Sequence, residues 1–231
     1  MFRSCRFQPP VFDCPVQLTC RRKGLPLQNR VNPFGELIAT ESRGTLMGNR
    51  GCLHDERRQI RRPFACRRWI ICVLEFRGRY RTVMTPGRYT ELFFLDEATA
   101  LAAGHRPCSE CQHERYLVFR EIWAAANPGL FTGPLPSADQ MDSVLHAERV
   151  DRERKKLAWQ APLSELPAAA MVADNEGTPY LVQRDRLRRW EPGGYGRSIP
   201  ARGGTFQVLT PRSIVRAIAA GYPAAIHASA E

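Results

Sequence analysis

Lysine is almost missing from this chain: three of its 34 basic residues are lysine and the rest are arginine. A high-GC coding sequence produces that preference as readily as a functional demand does. No apolar run approaches the roughly 18 residues that a membrane-spanning helix needs, so none is expected. The opening MFRSCRFQPPVFDCPVQLTCRRKG has no apolar stretch leading to a small-residue cleavage site. No secretory signal is therefore expected, and the location is read as cytoplasmic. There is no internal repeat and no low-complexity tract. GTLMGNRGCLHD carries Gly44, Gly48 and Gly51, and it is expected to form a loop with unusual backbone angles. Its spacing matches no Gly-rich phosphate loop.

What is present suffices for a globular core. The chain has 231 residues, 43% of them hydrophobic, enough for one large domain or two small ones. The formal net charge is +11, densest between Arg50 and Arg81, where ten arginines face Asp55, Glu56 and Glu75. Clustered arginine of this kind suits a polyanion, so a nucleic-acid partner is expected, with Arg67, Arg68, Arg106 and Arg115 as candidate phosphate contacts. Without a signal peptide, the eight cysteines are expected to be thiols or metal ligands rather than disulfides.

Residues 1–30, rich in proline and arginine, read as an irregular peripheral segment; Cys5, Cys14 and Cys20 lie there as incidental thiols. VNPFGELIATESRG reads as ordered, with a turn at Pro33-Phe34-Gly35. Arg68 to Met84 reads as two strands around Arg77-Gly78-Arg79, followed by a short strand in PGRYTELFF. LDEATALAAG is a helix that Asp96 can cap and Gly104 ends. A second helix should bury Tyr116, Phe119, Ile122 and Trp123 and stop at Pro128-Gly129. After a linker, a third should run from Ser137 or Ala138 to about Leu157. The remainder reads as strand-rich, with a hairpin turn at Asn175-Glu176-Gly177 and a short terminal helix in SIVRAIAAGYP.

Cys108-x-x-Cys111 places two thiolates on one turn, near enough to share a tetrahedral metal. The alternative, a redox pair, would want a strand before it, and here a helix and a Gly turn precede it. FFLDEATALAAGHRPCSEC resembles the second half of the zinc domain of Ada, the adaptive-response DNA alkylation repair protein. The resemblance rests on Phe93, Phe94, Ala100, Ala103, Gly104, Arg106, Pro107, Cys108 and Cys111, about 20 residues in all. It implies an Ada-like metal-binding fold around that stretch and a role in DNA repair or processing; the zinc module, with its N-terminal Gly-rich loop, is expected to span residues 31–127. That family supplies its other ligands as an upstream Cys-x3-Cys, one of them the methyl acceptor. This chain has instead Cys66-x5-Cys72, with Cys52 and His54, so a metal site is implied and methyl acceptance is not. Cys72, in a predicted strand, and His54, in the Gly-rich loop, are the expected partners of Cys108 and Cys111, with Cys66 and Cys52 in reserve. Four protein ligands would close the site and make it structural; three would leave room for water and chemistry.

ADQMDSVLHAERVDRERKK places Asp142 and His146 four apart on one helix face, so Asp142 could orient His146 as a general base. His146-Ala147-Glu148 together with Pro-Cys-x-x-Cys is similar to the signature of zinc nucleobase deaminases, in reversed order. His146, Glu148 and Asp142 are thus the candidate catalytic residues; a charged, solvated helix face explains the same pattern. Trp190, Tyr195 and Tyr222, beside arginines, are candidates for base stacking or for loop anchors. The expectation is an α+β protein: an Ada-like zinc module joined by a helix to a strand-rich region within 128–231. Three functions follow from it: a zinc-binding, nucleic-acid-associated protein; a zinc-dependent hydrolase or deaminase acting on a nucleotide or base; or a structural zinc fold for protein contacts.

Overall fold

A computed structural model describes residues 25–80 and 82–231; Cys5, Cys14, Cys20 and the basic cluster at 21–23 lie outside the described residues. The class is α+β, with two six-stranded sheets and four α-helices among the described residues. None of these helices is long and apolar enough to cross a membrane.

In the first sheet, β1 (Gln28–Val31) and β2 (Leu37–Ala39) form a hairpin about the expected Pro33–Gly35 turn, with Gly35 at φ +80°. β1 lies parallel to β5 (Leu92–Phe94). β3 (Leu46–Asn49) runs antiparallel to both β5 and β4 (Ile70–Cys72), and β4 pairs in parallel with the two-residue β6 (Arg106–Pro107). Part of the Gly-rich loop expected at 44–51 is therefore strand β3. Gly48 stands there because a Cβ would meet the Ile70 carbonyl oxygen at 2.4 Å and the Phe94 ring at 2.6 Å. The glycine marks close packing between strands, not a ligand loop. Of the two strands expected in 68–84, only β4 forms among the described residues. Residues 73–80 and 82–84 carry turns, with Met84 at φ 55°, and border a cavity described below.

The second sheet is antiparallel throughout: β7 (Trp159–Pro162), β8 (Met171–Ala173), β9 (Pro179–Val182), β10 (Arg186–Glu191), β11 (Gly194–Pro200) and β12 (Thr205–Val208), in the order β11-β10-β9-β8-β12-β7. The β8–β9 hairpin turns at the expected Asn175–Gly177.

Helix α1 (Glu97–Ala102) is buried along its whole length, and its apolar residues belong to two core clusters: Ala100 and Leu101 to one, Ala98 and Ala102 to the other. Asp96 caps it as expected, accepting from the Thr99 N–H at 2.8 Å, and also accepts from the Tyr195 hydroxyl at 2.8 Å. Glu97 accepts from the Tyr222 hydroxyl and the Ala225 N–H, and Trp190 donates its indole N–H to Thr99 Oγ1 at 3.0 Å. Trp190, Tyr195 and Tyr222 are thus internal anchors that tie the C-terminal region to α1, and their burial leaves no face for a base to stack on. Gly104 ends the helix at φ +90°, and a Cβ there would lie 2.6 Å from Arg149 Cδ.

Helix α2 (His113–Ala126) buries Tyr116, Phe119 and Trp123 as its spacing predicts, leaves Ile122 half-buried, and packs on α4 (Arg212–Ala219). Their apolar cluster also takes in Met141 and Leu145 of α3 (Ala138–Arg149), so one core draws on both sides of the 127/128 boundary drawn from sequence. Helix α3 starts in a capping box, Ser137 with Gln140, and stops eight residues before the expected Leu157. Val150 takes an extended backbone, bridges to Lys156, and Asp151 closes the loop by accepting from the Lys155 N–H at 2.8 Å. DRERKK is therefore not a helix face. It is an exposed tight loop, Arg154 at φ 67°, from which Arg154 and Lys156 reach back to the Phe64 and Ala102 carbonyls.

Candidate metal centre

The parallel pairing of β4 and β6 matches Ile70 with Arg106 and Ile71 with Pro107. Continued by one residue, that register sets Cys72 beside Cys108. The Cys108 N–H donates to the Ile71 carbonyl at 2.9 Å, and Gln112 Nε2 donates to the same oxygen at 2.9 Å. The chain then turns through Cys111 into α2, which brings the second thiol of the pair round to the first. The Sγ atoms of Cys72, Cys108 and Cys111 all lie within 4.8 Å of one another, with Cys72 and Cys108 buried. Sulfurs bound tetrahedrally at about 2.3 Å from a zinc ion stand about 3.8 Å apart, so the cluster could hold a metal ion with little movement.

The electrostatics favour a thiolate within the cluster. The Cys72 thiol donates toward Cys108, and the Glu110 N–H reaches Cys108 Sγ at 3.4 Å, pulling the Cys108 pKa down to about 5. The same hydrogen bond, then burial, pushes Cys72 far up, while burial first and Cys108 second raise Cys111. Their titrations are coupled, and a bound metal would displace the protons they share.

These three sulfurs border a cavity of about 470 Å³ that is also lined by Phe76, Arg79, Tyr80 and Glu91. Glu91 is 3% exposed and accepts from the Met84 N–H at 2.8 Å. Arg79 pairs with Glu110 at 3.0 Å. Among the described residues, no fourth Cys, His, Asp or Glu joins the cluster.

The expected ligands divide accordingly. Cys72, Cys108 and Cys111 come together. His54 does not join them: its Nδ1 lies 2.6 Å from Thr90 Oγ1 and its Nε2 lies 3.2 Å from the Thr85 carbonyl, a pinning role in the loop after β3. Of the reserves, Cys66 donates to the Arg68 carbonyl at 3.3 Å and Cys52 to the His54 carbonyl at 3.7 Å, both apart from the cluster.

The expected catalytic trio is dispersed. Asp142 does not orient His146; it accepts two hydrogen bonds from Arg106, at 2.9 and 2.7 Å, and both side chains are buried. Arg106 thus has no surface to offer a phosphate. His146 lies edge-on to Phe64 at 5.3 Å, and burial, then Arg149, Arg67 and Arg154, holds its pKa below the ordinary value. Glu148 accepts from the Ser213 N–H and hydroxyl, fastening the first turn of α4. None of the three lines the cavity beside the sulfurs. Arg115 pairs with Glu97, whereas Arg67 and Arg68 are exposed.

Glu91 was not singled out by sequence reasoning, because a lone glutamate before a strand carries no motif; only the β3–β5 pairing brings it to the cavity. No family model, curated protein or solved structure matches the chain.

Proposed function

We propose that this is a zinc-binding protein that associates with nucleic acid, in DNA repair or processing. The observation that carries the partner is the connection between β3 and β4, where Arg57, Arg58, Arg61, Arg62, Arg67 and Arg68 are all exposed against two acidic residues, Asp55 and Glu56. It leads directly into the strand that ends in Cys72. Three thiolates select zinc or another soft cation over hard oxygen-seeking ones. The Ada-like stretch from Phe93 to Cys111 supports the same reading, since Cys108 and Cys111 are two of the three clustered sulfurs. The test is binding of labelled duplex DNA and of RNA across a salt series, using fluorescence anisotropy. Binding should weaken as salt rises, and Arg67→Glu combined with Arg68→Glu should lower the slope of log K against log salt by about two. Salt-independent binding, or a double variant that binds like the parent, would contradict the assignment.

One observation favours a second reading, a zinc-dependent hydrolase or deaminase acting on a nucleotide or base. A three-sulfur site beside a cavity leaves a coordination position for water or substrate. Glu91, rather than His146 or Glu148, is then the carboxylate placed for proton transfer. On this reading Glu91→Gln retains the metal and loses turnover by about 100-fold or more. Unchanged turnover of a nucleotide substrate in that variant would remove Glu91 from the reaction.

A further inference from the structure

A second cavity, of about 240 Å³, lies among cations. Arg50, just past β3, Arg149, the last residue of α3, and Lys156, in the loop that follows, all line it. Arg50 and Arg149 are 1% and 0% exposed, and both guanidinium groups rest against the Trp69 indole, Cζ to ring centre 4.1 and 4.0 Å. Arg154 and Lys155 also border the cavity.

The neighbouring groups do not balance this charge. Arg50 donates to the Gly35 carbonyl at 2.8 Å and to His105 Nε2 at 3.1 Å. Arg149 donates to the Gly104 carbonyl at 2.7 Å and to that of Arg67, and Lys156 donates to the Ala102 carbonyl. These are dipoles, not anions. The end of α1 contributes about half a negative charge, too little for two buried guanidinium groups and the half-buried Lys156 ammonium. Asp142 favours the Arg149 charge but is itself paired with Arg106, and Glu36, also at the cavity, is exposed and hydrogen-bonded to Asn32. Arg50 Nη2 and Arg149 Nε, both buried, have no hydrogen-bond partner. Burial, reinforced by mutual repulsion, pulls the Lys156 pKa down to about 7 and that of Arg50 to about 9. Buried charge without a counter-ion is costly, and an anion in the cavity would relieve it.

We propose that this cavity binds a phosphate group, either free or at the end of a nucleotide or nucleic-acid chain. A phosphate carries enough negative charge to offset the cluster, and its oxygens can meet guanidinium and ammonium donors arriving from three segments. The site is built from residues other than the metal cysteines, so it stands whether or not zinc is bound.

The test is thermal unfolding of the full chain with increasing inorganic phosphate, against sodium chloride and sodium acetate at matched ionic strength. Phosphate alone should raise Tm, by about 3–6 °C for each tenfold increase above its dissociation constant. Lys156→Met should lose most of this rise and Lys156→Arg should keep it, with metal content unchanged in both as the check on folding. No rise in the parent, an equal rise with chloride or acetate, or an undiminished rise in Lys156→Met would overturn the proposal. Tighter binding of a 5′-phosphorylated oligonucleotide than of its 5′-hydroxyl counterpart would place the phosphate at a nucleic-acid end. Equal binding of the two, with the phosphate response intact, would place it on a small molecule.

Discussion

Asp142→Ala is expected to destabilise the protein by about 3–5 kcal/mol, lowering Tm by about 6–20 °C. Arg106 and Asp142 form a two-pronged pair with side chains 1% and 4% exposed. Removing the carboxylate strands a guanidinium in the core, and its other contacts, the Pro107 carbonyl at 3.1 Å and the Tyr116 ring at 5.4 Å, cannot neutralise it. Arg149, whose charge Asp142 also favours, would lose the larger of its two charge supports, Asp142 and Cys66. The loss comes from the unpaired charge rather than from a large net gain when the pair forms, so replacing both members separates the two causes. Arg106→Met with Asp142→Leu should recover most of the stability, because apolar side chains of similar size avoid the desolvation cost altogether. Thermal or urea unfolding of the single and double variants reads this directly. A single variant as stable as the parent would show that the pair is not buried as described.

Cys108→Ser is expected to weaken metal binding by more than the 10–100-fold that removal of an outer hydrogen-bond partner typically costs, roughly speaking. Cys108 is the cluster's best thiolate and sits between the other two donors in the hydrogen-bond scheme. Cys66→Ser, whose sulfur lies outside the cluster, should bind metal like the parent. The proton balance gives this a second readout. With Cys108 near 5 and Cys72 and Cys111 raised, the metal-free cluster at neutral pH carries one thiolate and two thiols. Metal binding should then release about two protons, and affinity should tighten by about 100-fold per pH unit through the neutral range. Chelator competition at several pH values measures it; an affinity independent of pH would mean that thiols are not the ligands.

Much of the local structure was legible because local chemistry decides it. Asp96 before an alanine-rich helix, Gly104 after it, the helix start at Ser137, and the Asn175-Glu176-Gly177 turn act within a few residues of themselves. Cys72 was legible as a partner of Cys108 and Cys111 because a cysteine in a short apolar strand is held rigidly. The errors came where contacts distant in sequence prevail. Gly48 looks like a loop residue until Phe94 and the Ile70 backbone are brought against it. Helix α3 keeps its periodic pattern beyond Arg149, yet Lys156 gains the end of α1 by leaving the helix. Arg106 reads as a surface cation, and only the packing of α3 on β6 supplies its buried partner, 36 residues away. Nothing in the spacing of residues 50, 149 and 156 suggests that they meet around one cavity.

The most direct test of the account is the metal content of the full chain purified without added metal, measured by elemental analysis beside Cys108→Ser. The account predicts close to one zinc per chain in the parent and almost none in the variant, with both folded by circular dichroism. A well-folded parent that carries no metal and takes up none when zinc is added would contradict it, leaving Cys72, Cys108 and Cys111 as three packed thiols.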